Sequence, residues 1–117
     1  MEKIYEQTML FDFYGELLTE HQRSIYEDAV YNDMSLGEIA QDRGISRQGV
    51  HDLIKRCDKI LQDYESKLHL VERFAKAKAT IGEIEELTRL EAVKSAEQMC
   101  ERLETIKKLS EELLEEL

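Results

Sequence analysis

The chain has 117 residues, 42% of them apolar, no proline, and a formal net charge of −10 from 16 basic and 26 acidic side chains. This length allows one domain, or one small domain with a helical extension. The charge has the wrong sign for a general nucleic-acid coat, no run is apolar enough to span a membrane, and a start carrying Glu2, Glu6, Asp12 and Glu16 does not read as a signal peptide.

With no proline, five glycines and no alternating pattern, the sequence predicts an all-α fold. Ile4, Leu10, Phe11, Tyr14, Leu17 and Leu18 outline a first amphipathic helix that Gly15 ends or bends. Thr19 and Gln22 have capping-box spacing and open a second helix, in which Gln22, Ile25, Tyr26, Ala29 and Val30 share one face. Tyr5, Phe11, Phe13, Tyr14, Tyr26 and Tyr31 offer rings for base stacking, but their placement on apolar helix faces points to core packing.

The segment from Ser35 to Arg56 predicts a helix-turn-helix. Ser35 and Glu38 form a second capping box, and Ile39 and the small Ala40 face inward. Gly44 suits the left-handed position that ends a helix, with Ile45 packed beneath the turn. Ser46 then caps a second helix whose buried face is Val50, Leu53, Ile54 and Cys57. Its exposed face carries Arg47, Gln48, His51, Asp52, Lys55 and Arg56, with Lys59 one turn on. In such motifs the start of this helix enters the major groove, where Arg47 suits guanine and Gln48 suits adenine. Lys55, Arg56 and Lys59 suit phosphates. The predicted nucleic-acid contacts are therefore Arg47, Gln48, His51, Lys55, Arg56 and Lys59. Three features oppose a strong reader: Asp52 repels phosphate, although it suits a hydrogen bond from cytosine, Gly49 inside the helix costs about 1 kcal/mol relative to alanine, and Arg43 stands where an apolar residue is usual.

The apolar stripe continues through Cys57, Ile60, Leu61, Tyr64, Leu68, Val71, Phe74 and Ala75. It reads as one long helix or two nearly collinear ones with a break near Ser66. Thr80-Ile81-Gly82-Glu83 repeats the pattern of Ser35 to Glu38 and predicts a new helix start. From Ile84 a stripe with spacings of three and four runs through Leu87, Leu90, Val93, Ala96, Met99, Leu103, Ile106, Leu109 and Leu113 to Leu117. One straight helix there would extend about 55 Å, so either it bends into two or its stripe needs a partner. A homodimer through the C-terminal half is favoured over packing back onto the first four helices. The predicted division is a helix-turn-helix domain over 1–66 and a helical dimerisation or packing extension of the same compact unit over 67–117.

Charge is uneven. Residues 46–59 carry a net +2, whereas residues 80–117 carry a net −6. Few phosphate contacts are therefore expected per monomer, giving modest and strongly salt-dependent affinity. Cys57 and Cys100 read as buried, reduced thiols in a cytoplasmic chain. His21, His51 and His69 share no metal-ligand spacing with them. No nucleophile–base pair or phosphate loop is visible, and Glu85-Glu86, Glu111-Glu112 and Glu115-Glu116 lie on a solvated helix face. A non-enzymatic protein with no cofactor is expected.

Residues 18–67 resemble region four of bacterial sigma factors. The whole chain resembles the YlxM family of small bacterial helix-turn-helix proteins, most specifically in Leu36-Gly37-Glu38-Ile39-Ala40, in Ile45-Ser46-Arg47-Gln48-Gly49-Val50-His51-Asp52 and in Ile54-Lys55-Arg56. The acidic tail agrees with that family and departs from sigma factors. The resemblance implies an all-α fold, with a sigma-like helix-turn-helix core lacking wing strands and long C-terminal amphipathic helices. It implies a DNA-binding regulator with a role in the signal recognition particle pathway, or an adaptor for that particle's RNA or protein components. It supplies no catalytic residues. By the sigma comparison, Arg47, Gln48, His51 and Lys55 occupy the DNA-reading positions.

Overall fold

Side-chain caps set where most of the helices begin. The computed structural model describes residues 2–117, and among them the only regular structure is helical. Helix α1 spans Glu2–Tyr14 and passes into a 3-10 turn over Gly15–Leu17. Helix α2 spans Glu20–Val30, α3 Leu36–Arg43, α4 Arg47–Leu68, α5 Leu70–Leu87 and α6 Ala96–Glu116, with a 3-10 turn over Leu90–Ala92 before α6. The described residues divide into two compact units, one ending at Val71 and one comprising Glu72–Leu117.

The first unit holds two joined clusters. Ile25, Ile39, Ala40 and Val50 pack where α2, α3 and α4 meet. Leu10, Tyr14, Leu18, Tyr26, Cys57 and Leu61 pack between α1, α2 and the middle of α4. Both form because apolar residues recur every three or four positions and so share a helix face. The aromatic rings mostly enter this core: Phe11 stacks on Tyr26 at 5.6 Å and Tyr14 on Tyr64 at 6.0 Å between centroids. Tyr5 and Tyr31 depart from that expectation and are exposed, and the Tyr31 hydroxyl binds Asp12. The Tyr14 hydroxyl donates to Glu65 Oε1 at 2.5 Å and accepts from the Leu70 amide at 3.1 Å. Glu65 Oε1 also accepts from the Val71 amide at 3.0 Å. The pair thus satisfies amides at the start of α5, which an uncapped helix leaves without partners.

The helix break falls at His69, which takes a left-handed conformation (φ 56°), rather than near Ser66. The helix start expected at Thr80 is absent: α5 runs through it, and Thr80 Oγ1 donates back to the Lys76 carbonyl at 3.1 Å instead of capping. The surrounding alanines, lysines and glutamates are strong helix formers and override the pattern. The long C-terminal helix is broken further on. Thr88 Oγ1 donates to the Glu85 carbonyl at 2.6 Å, and Arg102 Nη1 donates to the carbonyls of Leu87 at 3.2 Å and Arg89 at 2.8 Å. The free carbonyls at the end of α5 are satisfied in this way. Ser95 then opens α6: its Oγ accepts from the Gln98 amide at 3.1 Å, and Gln98 Oε1 accepts from the Lys94 amide at 2.7 Å.

Within the second unit, α5 and α6 run antiparallel, tied by Arg102 at one end and by Lys76 Nζ to Glu116 Oε1 at 2.8 Å at the other. Ala77, Ile84 and Leu87 of α5 and Met99, Ile106, Leu109 and Leu113 of α6 are half-buried, but no described residue of either helix is fully buried. Cys100 is exposed on α6, contrary to the expectation of burial, because the half-buried seam runs through its neighbour Met99. Among the described residues no helix is long and apolar enough to cross a membrane.

Candidate nucleic-acid interface

The candidate interface is built on three consecutive caps. Thr19 and Gln22 cap α2 reciprocally, at 3.2 and 3.1 Å. Ser35 and Glu38 do the same for α3, at 3.1 and 3.0 Å. The bond from the Ser35 amide first, and the Ser35 side chain second, hold the Glu38 carboxyl below its ordinary pKa. Gly44 ends α3 with φ 68°, and the Ile45 amide bonds the Ala40 carbonyl at 3.1 Å, closing the turn. Ile45 differs from expectation here. Its backbone serves the turn, but its side chain is 37% exposed rather than packed beneath it. Ser46 Oγ then accepts from the Gly49 amide at 2.9 Å and starts α4. A Cβ at Gly49 would lie 3.0 Å from that same Oγ, so glycine leaves room for the cap.

Arg43 fills a role the sequence did not reveal. Its Nη2 donates to Ser24 Oγ at 2.6 Å and to Asp28 Oδ2 at 2.7 Å, joining the end of α3 to α2. Asp28 also accepts from Asn32 Nδ2 at 2.9 Å. The Arg43 bond first, and the Asn32 bond second, hold the Asp28 carboxyl below the usual carboxylate range. An apolar residue at position 43 would pack there; arginine fixes the angle by charge-assisted hydrogen bonds instead. The signal lay in Asp28 on the last turn of α2, with Asn32 just beyond its end, but nothing local to Arg43 named Asp28 as its partner.

Arg47, Gln48, His51, Lys55, Arg56 and Lys59 are all exposed; Gln48, Lys55, Arg56 and Lys59 lie on the side of α4 away from Val50, Cys57 and Leu61, with Arg47 and His51 on the flank at its start. Arg47, Gln48 and His51 border a shallow depression with Leu36, a residue the sequence did not flag. From Arg47 to Lys59 the row extends about 18 Å along the axis. Among the described residues, Arg47, Lys55, Arg56 and Lys59 take part in no salt bridge. The two carboxylates of this segment differ. Asp58 turns toward α1 and α2, accepting from Tyr26 Oη at 2.5 Å and from Gln7 Nε2 at 3.0 Å. Burial first, and that bond to Asp58 second, push the Tyr26 hydroxyl pKa well above its ordinary value. Asp52 stays exposed, with Oδ1 2.9 Å from Gln48 Nε2 and 3.5 Å from His51 Nδ1. The outer face therefore presents four cations against one carboxylate, and that carboxylate is already hydrogen-bonded.

Residues 1–106 match the family described as "Putative helix-turn-helix protein, YlxM / p13 like". A UPF0122 protein of Acetivibrio thermocellus is 42% identical over 115 residues, covering 98% of this chain and 97% of its own. Relatives in Shouchella clausii and Clostridium botulinum, also UPF0122 proteins, are 36% identical over 107 residues and 50% identical over 88. The first match covers 91% of this chain and 98% of the relative, the second 74% and 81%. With its capped helices, left-handed glycine turn and exposed polar α4, the chain belongs to this helix-turn-helix family.

Proposed function

We propose that the protein is a DNA-binding regulatory protein that inserts the start of α4 into the major groove. The observation that carries this reading is the exposed face of α4, where four cations outside any described salt bridge flank Gln48 and His51 on a capped helix. Arg47, Gln48 and His51 reach base edges; Lys55, Arg56 and Lys59 reach phosphates. Selection from randomised duplexes at low salt tests it. The expected result is one enriched sequence, with Arg47→Ala weakening binding to it by about 1–3 kcal/mol. An unenriched pool would sink the reading.

Two copies are held through the helices of the second unit. Ile81 and Leu103 follow directly on the half-buried positions Thr80 and Arg102. In an antiparallel pair such positions border the same flank. Leu114 continues the strip on α6, and all three are more than half exposed. A helix with this wide a stripe buries it against more than one neighbour.

A second reading is an adaptor for RNA or protein components of the signal recognition particle. The net −6 of residues 80–117 favours it, since that surface suits basic proteins. Its family resemblance points to the same pathway. Pull-down of the tagged protein at native level, followed by identification of bound protein and nucleic acid, separates the two. Recovery of genomic DNA without the particle or its receptor would count against the adaptor.

A further inference from the structure

Gln48 and Asp52 stand one helical turn apart on the exposed face of α4, and Gln48 Nε2 donates to Asp52 Oδ1 at 2.9 Å. His51 Nδ1 lies 3.5 Å from the same oxygen. An unrestrained glutamine amide rotates freely and offers a base either its donors or its acceptor. Here one N–H is engaged by Asp52, which turns the amide nitrogen toward the C-terminal side of the helix. Among the described residues Gln48 makes no other hydrogen bond, so its second N–H and Oε1 stay available together. That is the donor–acceptor pair matching adenine N7 and N6–H2 in the major groove. Asp52 itself has no donor, so it cannot bind phosphate, and its charge opposes approach to any backbone that is not in register.

We infer that Asp52 is a positioning residue that orients Gln48 to read adenine and, by its charge, lowers binding to unrelated DNA. This inference rests on the reading of α4 as a DNA-contacting helix. The same charge that opposes phosphate at Asp52 is thereby the source of selectivity. The bond is weak while exposed to water and strengthens when the groove excludes water.

The test uses the full chain, selecting from randomised duplexes with wild type, Gln48→Ala, Asp52→Ala, Asp52→Asn and the Gln48→Ala/Asp52→Ala double variant. All these positions are exposed, and circular dichroism with thermal melting checks that each variant folds as wild type does. Gln48→Ala should remove the preference for adenine at one position, about ten-fold. Asp52→Ala should weaken the preference at that same position while binding to unrelated duplex tightens. Asp52→Asn keeps an acceptor for Gln48 and removes the charge, so it should retain the preference and still tighten unrelated binding. The double variant should lose no more preference than Gln48→Ala alone. If Asp52→Ala tightens binding to every duplex equally and leaves the adenine preference intact, Asp52 is only a repelling charge and the inference fails. It also fails, with DNA reading intact, if wild type selects a site that Gln48→Ala selects unchanged. If wild type enriches no sequence, the reading of α4 fails first and this inference with it.

Discussion

At the scale of single residues, one charged pair, Arg43 and Asp28, positions the helices that carry the candidate interface. Arg43 and Asp28 are mostly shielded, with side-chain exposures of 28% and 14%. Replacing the carboxylate by an amide keeps an acceptor oxygen but leaves the shielded guanidinium without its counter-charge. Asp28→Asn should therefore cost about 2 kcal/mol of stability in denaturant melts. The pH dependence follows from the lowered Asp28 pKa. A carboxyl depressed in the folded state adds stability above its unfolded pKa of about 4 and loses it as pH falls through the folded value. Melting temperature should drop in the acid range below about pH 4, and less so in Asp28→Asn. The two cysteines differ in the same physical terms. Burial pushes the Cys57 thiol up to about 11, whereas Cys100 is exposed. A thiol reagent at pH 8 should label Cys100 quickly in the folded protein and Cys57 only after unfolding. Equal labelling of both without denaturant would contradict the buried position of Cys57.

At the scale of elements, caps and turns decide where helices begin and end. Gly44 holds a left-handed conformation with no atom within 4 Å of a would-be Cβ. Gly44→Ala should thus cost about 1–2 kcal/mol through backbone strain alone, with no steric clash to repack. A thermal melt indistinguishable from wild type would refute that conformation. Ser95 matters equally to α6, since it receives the Gln98 amide. Ser95→Ala should lower stability by about 1 kcal/mol. Much of this was legible. Thr19 with Gln22 and Ser35 with Glu38 were readable as reciprocal caps because the chemistry lies within four residues. The same reasoning misled at Thr80, where the pattern is present but the helix continues. A local motif cannot reveal whether the chain before it is already helical. Ser95 to Gln98 carried the correct signal and was masked by the unbroken apolar stripe around it.

At the scale of the whole molecule, the two units differ in how they bury apolar surface. The first encloses Ile25, Tyr26, Ile39, Val50, Cys57 and Leu61 completely. The second encloses no described residue, and leaves Ile81, Leu103, Leu114 and Leu117 open to water. Light scattering should give twice the 13.7 kDa chain mass. Leu103→Glu should shift the protein toward monomer while the melt of the first unit persists. A monomeric wild type at all concentrations would remove the homodimer from the proposed function. Dimerisation also bears on DNA binding. Under the proposed reading a dimer presents two copies of α4 and twice the phosphate contacts, so the slope of log affinity against log salt should be about halved in the monomeric variant.

The sequence by itself determined the all-α architecture, the helix-turn-helix and its caps, and the polar face of α4. All of these rest on interactions between residues a few positions apart, where spacing alone brings the groups together. The tertiary structure decided what depends on distant partners. Arg43 reaches back to Ser24 and Asp28 on α2. Asp58 is drawn inward by Tyr26 and Gln7. Tyr14 and Glu65 meet across the first unit to satisfy the start of α5. Residues 46–59 read as four cations against two carboxylates in sequence, yet present four against one on the surface. Sequence fixes which charges exist, but only packing determines which of them remain facing solvent.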